Sequence, residues 1–166
     1  MSRAVDRFAA AAADLGVDLR VTRYPAGTRT ARDAAAAVGC ELGQIVKSLV
    51  FVAGGRVVVA LVSGADTVDT GRLGAAAGAG AGDARQARAE EVADATGFSI
   101  GGVPPFGHAR KLETFLDRRL LDFEEVWAAA GAPDACFPIA PGELARLAEA
   151  SVVDVAAGAG SGPTAS

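Results

Sequence analysis

Histidine, cysteine and lysine are scarce in this chain. Its 166 residues hold one His (His108) and two Cys (Cys40 and Cys136). Of its 16 basic residues only Lys47 and Lys111 are lysine, and the other 14 are arginine. A structural zinc site draws on about four Cys or His ligands. Three such residues in no close-spaced motif do not supply them, so no metal is expected. A Ser-His-Asp triad would have to use His108, and no Gly-x-Ser-x-Gly elbow is present. Redox chemistry at Cys40 or Cys136 lacks a paired motif. A disulfide between the two stays open, although two cysteines without a secretory leader are more often reduced.

Long apolar runs are also missing. No window approaches the roughly 18 residues of a membrane helix, and the first residues lack a signal-peptide core. A cytoplasmic protein without a membrane or cofactor partner is expected. Positive charge is in deficit, the formal net charge being -4. That argues against an indiscriminate grip on DNA or RNA, which takes a positive excess. What is present is 51% hydrophobic residues, with only 22% charged. This composition excludes wholesale disorder, and the length suits one domain.

The pattern along the chain alternates helices and strands. Ser2 caps a helix with Val5, Phe8, Ala12 and Leu15 on one face, stopped by Gly16. Leu19 and Val21 predict a short strand ending near Tyr24, and Pro25–Gly27 turns the chain. Thr30 with Asp33 reads as a capping box for a helix over 34–38 that stops at Gly39. Ile45–Val52 and Arg56–Val62 flank Gly54-Gly55 and read as a hairpin. A helix is predicted from Asp66 or Thr67 through Ala77, broken by the Gly-Ala stretch 78–82. A strand at 84–87 and a helix at 89–96 follow. Gly101 to His108 is too rich in breakers for regular structure. Strands are predicted at 112–116, 123–128, 135–139 and 152–155, with a helix from Pro141 through Leu147. Residues 1–157 form the expected domain, and 158–166 read as a disordered tail. The order implies an α/β domain on a mixed sheet.

Two places invite chemistry. Lys47 sits inside an apolar strand on the face of Ile45, Leu49 and Phe51. A buried, unpartnered ammonium costs several kcal/mol or loses its proton affinity. It is a working cation, an edge-strand lysine that blocks sheet pairing, or one that snorkels to water. The Gly101–His108 loop offers glycines for close approach and amides for a phosphate or oxyanion; a plain crossover loop is the alternative. His108 binds a ligand or caps a carbonyl. Trp127 and Cys136 read as packing.

At these residues the chain resembles the YbaK/EbsC family. The likeness is carried by Thr30–Ala35, by Ile45–Phe51, and by Thr96-Gly97-Phe98 followed by Gly101-Gly102-Val103-Pro104-Pro105-Phe106-Gly107. It runs from about Leu15 to Ala157. The resemblance implies a compact α/β domain with a mixed, mostly antiparallel, barrel-like sheet flanked by helices. It implies deacylation of a mischarged tRNA, in which a small amino acid such as Ala, Cys or Ser is cleared, with prolyl-tRNA editing the expected setting. Metal and protein nucleophile are absent from that chemistry. The partners implied are the aminoacyl-tRNA 3' end and an aminoacyl-tRNA synthetase. The positions carried over are Lys47, Gly101 and Gly102 as catalytic, with Thr30, Ser48, Pro105, Gly107 and His108 at the substrate. In cysteinyl-tRNA-clearing members a first-strand Tyr and an Asp before the last helix shape the pocket. Here Thr22 falls at the first position, with Tyr24 offset, and Cys136 falls near the second. The alternative function is a non-catalytic module that binds a nucleotide or aminoacyl group in the same pocket.

Overall fold

The computed structural model describes residues 3–24 and 30–157. The Ser2 cap, the Pro25–Gly27 turn and the 158–166 tail lie outside the described residues.

The Gly54-Gly55 pair builds the centre of the molecule. Both glycines take positive φ, 57° and 80°, which L side chains rarely adopt. They join β2 (Ile45–Ala53) to β3 (Arg56–Ser63) in a hairpin that runs in register from Val46↔Ser63 to Ala53↔Arg56. Both faces of β3 are apolar. Val59 and Leu61 face one core, and Val58, Ala60 and Val62 face the other. Such two-sided burial marks a central strand.

Six further strands extend the sheet. They are β1 (Thr22–Arg23), β5 (Ala84–Gln86), β6 (Glu113–Asp117), β7 (Val126–Ala129), β8 (Ala135–Ile139) and β9 (Ser151–Val153). The order in this eight-stranded sheet is β1-β8-β7-β2-β3-β6-β9, with β5 also on β2. Separately, β4 (Thr67–Val68) pairs with β10 (Ala156–Ala157). Within the eight-stranded sheet four of the seven pairings are antiparallel and three parallel. The sheet is thus mixed and mostly antiparallel.

Five helices flank it. Helix α1 (Arg3–Asp14) buries Val5, Phe8 and Ala12. Phe8, Phe106 and Phe137 meet with ring centroids 5.1 to 6.0 Å apart. Burying one such ring stabilises the fold by about 1.5–3 kcal/mol. Helix α2 (Ala31–Val38) has the Thr30–Asp33 capping box and a left-handed Gly39 at its end. Helices α3 (Thr70–Ala76), α4 (Ala89–Thr96) and α5 (Pro141–Leu147) complete the set.

Four expectations need correction. Helix α3 starts later than 66 or 67, because Thr67–Val68 pairs with Ala156–Ala157 and Asp69 is the cap. Phe123 is not in β7; it closes a 3-10 turn over Arg118–Asp122, its amide donating to Leu120 O. Leu19 and Val21 precede β1, which pairs only through Thr22 and Arg23. Leu15 lies past the end of α1 and is 49% exposed.

Candidate active site

The strands beside β2 do not meet. On the edge opposite β3, the parallel ladder to β7 covers Ile45 and Val46, and the antiparallel ladder to β5 covers Phe51–Ala53. The Ala87 amide donates to Val50 O at 2.9 Å, so β5 approaches no closer to the other ladder than that residue. Lys47, Ser48 and Leu49 therefore have no strand on that edge. They are also half-buried, whereas Ile45, Val46, Val50 and Phe51 are buried.

A cavity of about 300 Å³ occupies this opening. Its floor is Val46–Val50 of β2, and its sides come from Gln86 and Ala87, from Trp127–Ala129, and from Ala135 and Cys136. Thr30 and Ala34 close it on the α2 side, and Ile100, Gly101, Val103 and Pro133 at the rim. Adjacent side chains of a strand point to opposite faces, yet Lys47 and Ser48 both line this space. The missing neighbour strand lets one cavity reach both faces.

Lys47 supplies the cavity's ammonium. Its Nζ donates to the Asp66 carbonyl. Burial pushes its proton affinity below the usual lysine value, and the negative charge of Asp66 works in the opposite direction. Ser48 Oγ is buried and is the one such side-chain oxygen or nitrogen without a hydrogen-bond partner among the described residues. A buried hydroxyl left unpaired costs about 1–3 kcal/mol.

The peptide groups of Ser48 also turn toward the opening. Along a strand, alternate residues direct their amide and carbonyl to alternate edges. Ile45 O accepts from Gly64 on the β3 side, and Val50 O accepts from Ala87 on the other. Ser48, two residues from Val50, shares the Val50 edge.

The structure divides the residues singled out from sequence. Thr30, Lys47, Ser48 and Gly101 line one cavity. Gly102 stands behind it, buried, with its amide donating to Ser99 O at 3.0 Å. It is not among the residues that line the cavity. Pro105 is buried beside Phe106, whose ring fixes the loop in the core. Gly107 and His108 line a different hollow with Leu15 and Lys111. There His108 Nε2 is 2.7 Å from Pro104 O, so the imidazole caps a carbonyl. Burial lowers its proton affinity, against the pull of that carbonyl.

Three residues read as packing or as offset prove to be cavity lining: Tyr24, Trp127 and Cys136. Thr22 faces Cys136 across the β1–β8 ladder and is exposed. It is Tyr24, just past the ladder, that reaches the cavity. Burial, and after it a hydrogen-bonding interaction with the Cys136 thiol, holds the Tyr24 phenol well above its usual range. Burial pushes the Cys136 thiol up to about 11, the Tyr24 bond pulling it down and Cys40 adding to the rise. Both cysteines are free thiols. Only the pairing of β1 with β8 joins these sequence-distant groups, and no local pattern announces it.

Among the described residues no group of three or more His, Cys, Asp and Glu side chains gathers where a metal could be held. None of the described helices is long and apolar enough to cross a membrane.

The fold and cavity together define a small α/β domain whose cavity is lined by one lysine, by Thr30, Tyr24 and Cys136, and by apolar residues. Comparison with known proteins identifies which such domain. A family model described as "Aminoacyl-tRNA editing domain" matches residues 25–147, and the chain belongs to that family. YwhH of Bacillus subtilis (strain 168), described as uncharacterized, is 34% identical over 137 residues, covering 81% of this chain and 85% of that one. A proline--tRNA ligase of Acidithiobacillus ferrooxidans is 30% identical over 134 residues, 81% of this chain but 23% of the ligase. A crystal structure of a candidate trans-editing enzyme for prolyl-tRNA synthetase superposes with TM-score 0.90 at 46% identity. That match covers 95% of this chain and 99% of the other.

Proposed function

We propose that the protein is a trans-editing aminoacyl-tRNA deacylase that clears a small amino acid, such as Ala, Cys or Ser, from mischarged prolyl-tRNA. The observation that carries this reading is the Lys47 ammonium beside the strandless main-chain edge of Lys47–Leu49 in one apolar cavity. The prolyl setting draws support from the ligase relative and from the trans-editing structure.

An aminoacyl ester is already activated, so its hydrolysis needs positioning and charge stabilisation more than a strong nucleophile. Lys47 meets the ester carbonyl or the terminal phosphate. Water attacks the carbonyl carbon, the oxyanion forms beside the ammonium, and the C–O bond to the ribose 3' oxygen breaks. The water proton passes to the departing ribose oxygen by way of the 2'-hydroxyl. The products are a free amino acid and an uncharged tRNA. The bare peptide groups of Ser48 hold polar groups of the aminoacyl-adenosine, the Thr30 hydroxyl donates to it while accepting from the Asp33 amide, and Gly101 lets the rim pass close to it. Gly102 backs that rim.

The cavity lies at the small end of ligand sites, which run from about 300 to 1,000 Å³. With the ribose also seated, only a short side chain fits. Specificity among short side chains rests on small differences in such a pocket.

The test is a panel of prolyl-tRNAs charged with Ala, Cys, Ser or Pro, incubated with the wild-type protein and with Lys47→Ala. The expected result is release of at least one small amino acid, slowed at least about 100-fold in the variant, as when a charge facing an oxyanion is removed. Saturable binding of all four without turnover would make the protein a non-catalytic aminoacyl-binding module. Equal rates for Lys47→Ala and wild type would remove Lys47 from the chemistry.

A further inference from the structure

Lys47 does not stand alone on the cavity wall. Behind it lies the turn that follows β3. The Asp66 amide donates to Ser63 O at 3.0 Å, and the Gly64 amide donates to Ile45 O at 2.6 Å. Ser63 Oγ bridges the same turn, donating to Gly43 O at 2.8 Å and accepting from the Ala65 amide at 3.2 Å. These bonds fix the Asp66 carbonyl, which accepts from Lys47 Nζ.

The side chain of Asp66 is fixed as well. It is 8% exposed, and its Oδ1 is 3.0 Å from Arg119 Nη1. Arg119 stands on the 3-10 turn after β6, where its own amide donates to Asp117 Oδ2 at 3.1 Å. Asp117 is 1% exposed and its Oδ1 accepts the amides of Val155 and Ala156. A run of bonds thus leads from the sheet interior through Arg119 and Asp66 to the Lys47 ammonium. A nearly buried carboxylate with an arginine partner is costly unless the pair is well placed, and this pair does not touch the cavity.

We propose that Asp66 and Arg119 are positioning residues for Lys47: the Asp66 carbonyl sets where the ammonium sits, and the Arg119-anchored carboxylate keeps it protonated. The role rests on the deacylase reading only for its purpose, since the geometry concerns Lys47 itself.

The facing groups bear on this role. The turn after β3 brings Asp66, with Arg119 behind it. The segment after β1 brings Tyr24, and β8 brings Cys136, both held above their usual values and so neutral. From α2 comes Thr30, whose oxygen is occupied by the Asp33 amide. Asp66 is the charge that acts on Lys47.

The chain has two lysines, so protein labelled with ¹³C at lysine Cε gives two side-chain signals, Lys47 and Lys111. Each is titrated by NMR in wild type, Asp66→Asn and Arg119→Lys. The Asp66→Asn protein retains the Asp66 carbonyl and loses only the charge. Its Lys47 proton affinity is expected to fall at least about three-fold, since a neighbouring opposite charge favours the protonated form. The Lys111 signal, from a solvent-exposed pair with Glu149, is expected to stay put as an internal reference, and a wild-type circular dichroism spectrum and cooperative melt report that the fold is intact. Arg119→Lys retains an anchoring cation and adds a third lysine signal, recognised by its absence from the wild-type spectrum; its Lys47 midpoint is expected to stay near that of wild type. An Asp66→Asn protein whose Lys47 midpoint matches wild type would overturn the proposal. The titration needs no substrate, so failure of the prolyl-tRNA panel and failure of the positioning role are read separately.

Discussion

Gly102→Ala adds one methyl where the backbone leaves no room. A Cβ at Gly102 lies 2.7 Å from Ala132 Cα and 3.0 Å from both the nitrogen and the carbonyl carbon of Ala132. All three are main-chain atoms, so no rotamer change relieves the contact. Gly102 is not among the positive-φ glycines; the cost therefore comes from crowding rather than from backbone strain. Overpacking of this kind costs about 1–3 kcal/mol. For a chain of this size each kcal/mol lowers the melting temperature by about 2–4 °C. Relief requires the 100–103 segment to part from the turn between β7 and β8. Those two segments carry Gly101 and Pro133 on the cavity rim. We expect a lower melting temperature together with a raised KM for deacylation. Alanine keeps the amide that donates to Ser99 O, so a role for Gly102 as a hydrogen-bond donor predicts neither change. Gly142→Ala is the control. Nothing lies within 4 Å of its added Cβ, and it stands in the first turn of α5. There alanine is expected to be neutral or to stabilise by up to about 1 kcal/mol. Thermal melts followed by circular dichroism decide the matter. A Gly102→Ala protein melting within about 1 °C of wild type would refute the steric reasoning.

Two further outcomes are expected. Ser48→Ala removes a buried hydroxyl with no partner in the free protein, so stability is expected to hold or rise by up to about 1 kcal/mol in urea unfolding; a clear loss of stability would contradict the unpaired hydroxyl. His108 has a folded proton affinity below its ordinary value of 6.5, so the unfolded chain takes up the proton first. Its contribution is full above that value and is lost as pH falls through the folded one. Urea unfolding between about pH 7 and pH 5 is expected to show a drop in wild type that is smaller in His108→Gln, and equal drops would contradict it.

Local chemistry made much of this molecule readable. Gly54-Gly55 marks the hairpin turn, and the Thr30–Asp33 box with Gly39 marks both ends of α2. Lys47 in an apolar run points to the cavity, because burying an unpaired ammonium is expensive. What stayed hidden depends on contacts distant in sequence. The β4–β10 pairing that displaces the start of α3 joins residues 67–68 to 156–157. The 101–108 loop reads as one unit, but Phe106 pins its middle between Phe8 and Phe137. Its Gly101 end therefore faces the cavity while His108 faces away. Tyr24 and Cys136 meet only once β1 is laid against β8.

The interrupted edge of β2 has a further consequence, for what this sheet can and cannot recruit. An unpaired strand edge at the margin of a sheet is a template for another chain and a hazard for aggregation. Here the bare stretch spans only Lys47–Leu49, closed at one end by β7 and at the other by β5. That is shorter than the roughly five residues of an ordinary strand, and it carries an ammonium. A foreign strand finds too few free peptide groups to pair with in so brief a slot, whereas a cavity of about 300 Å³ has room for a small molecule. The walls β7 and β5 are held by different neighbours, β8 for one and the Arg85–Glu91 pair to α4 for the other. Substitutions on either side can therefore reshape the slot while the strand that carries Lys47 stays fixed.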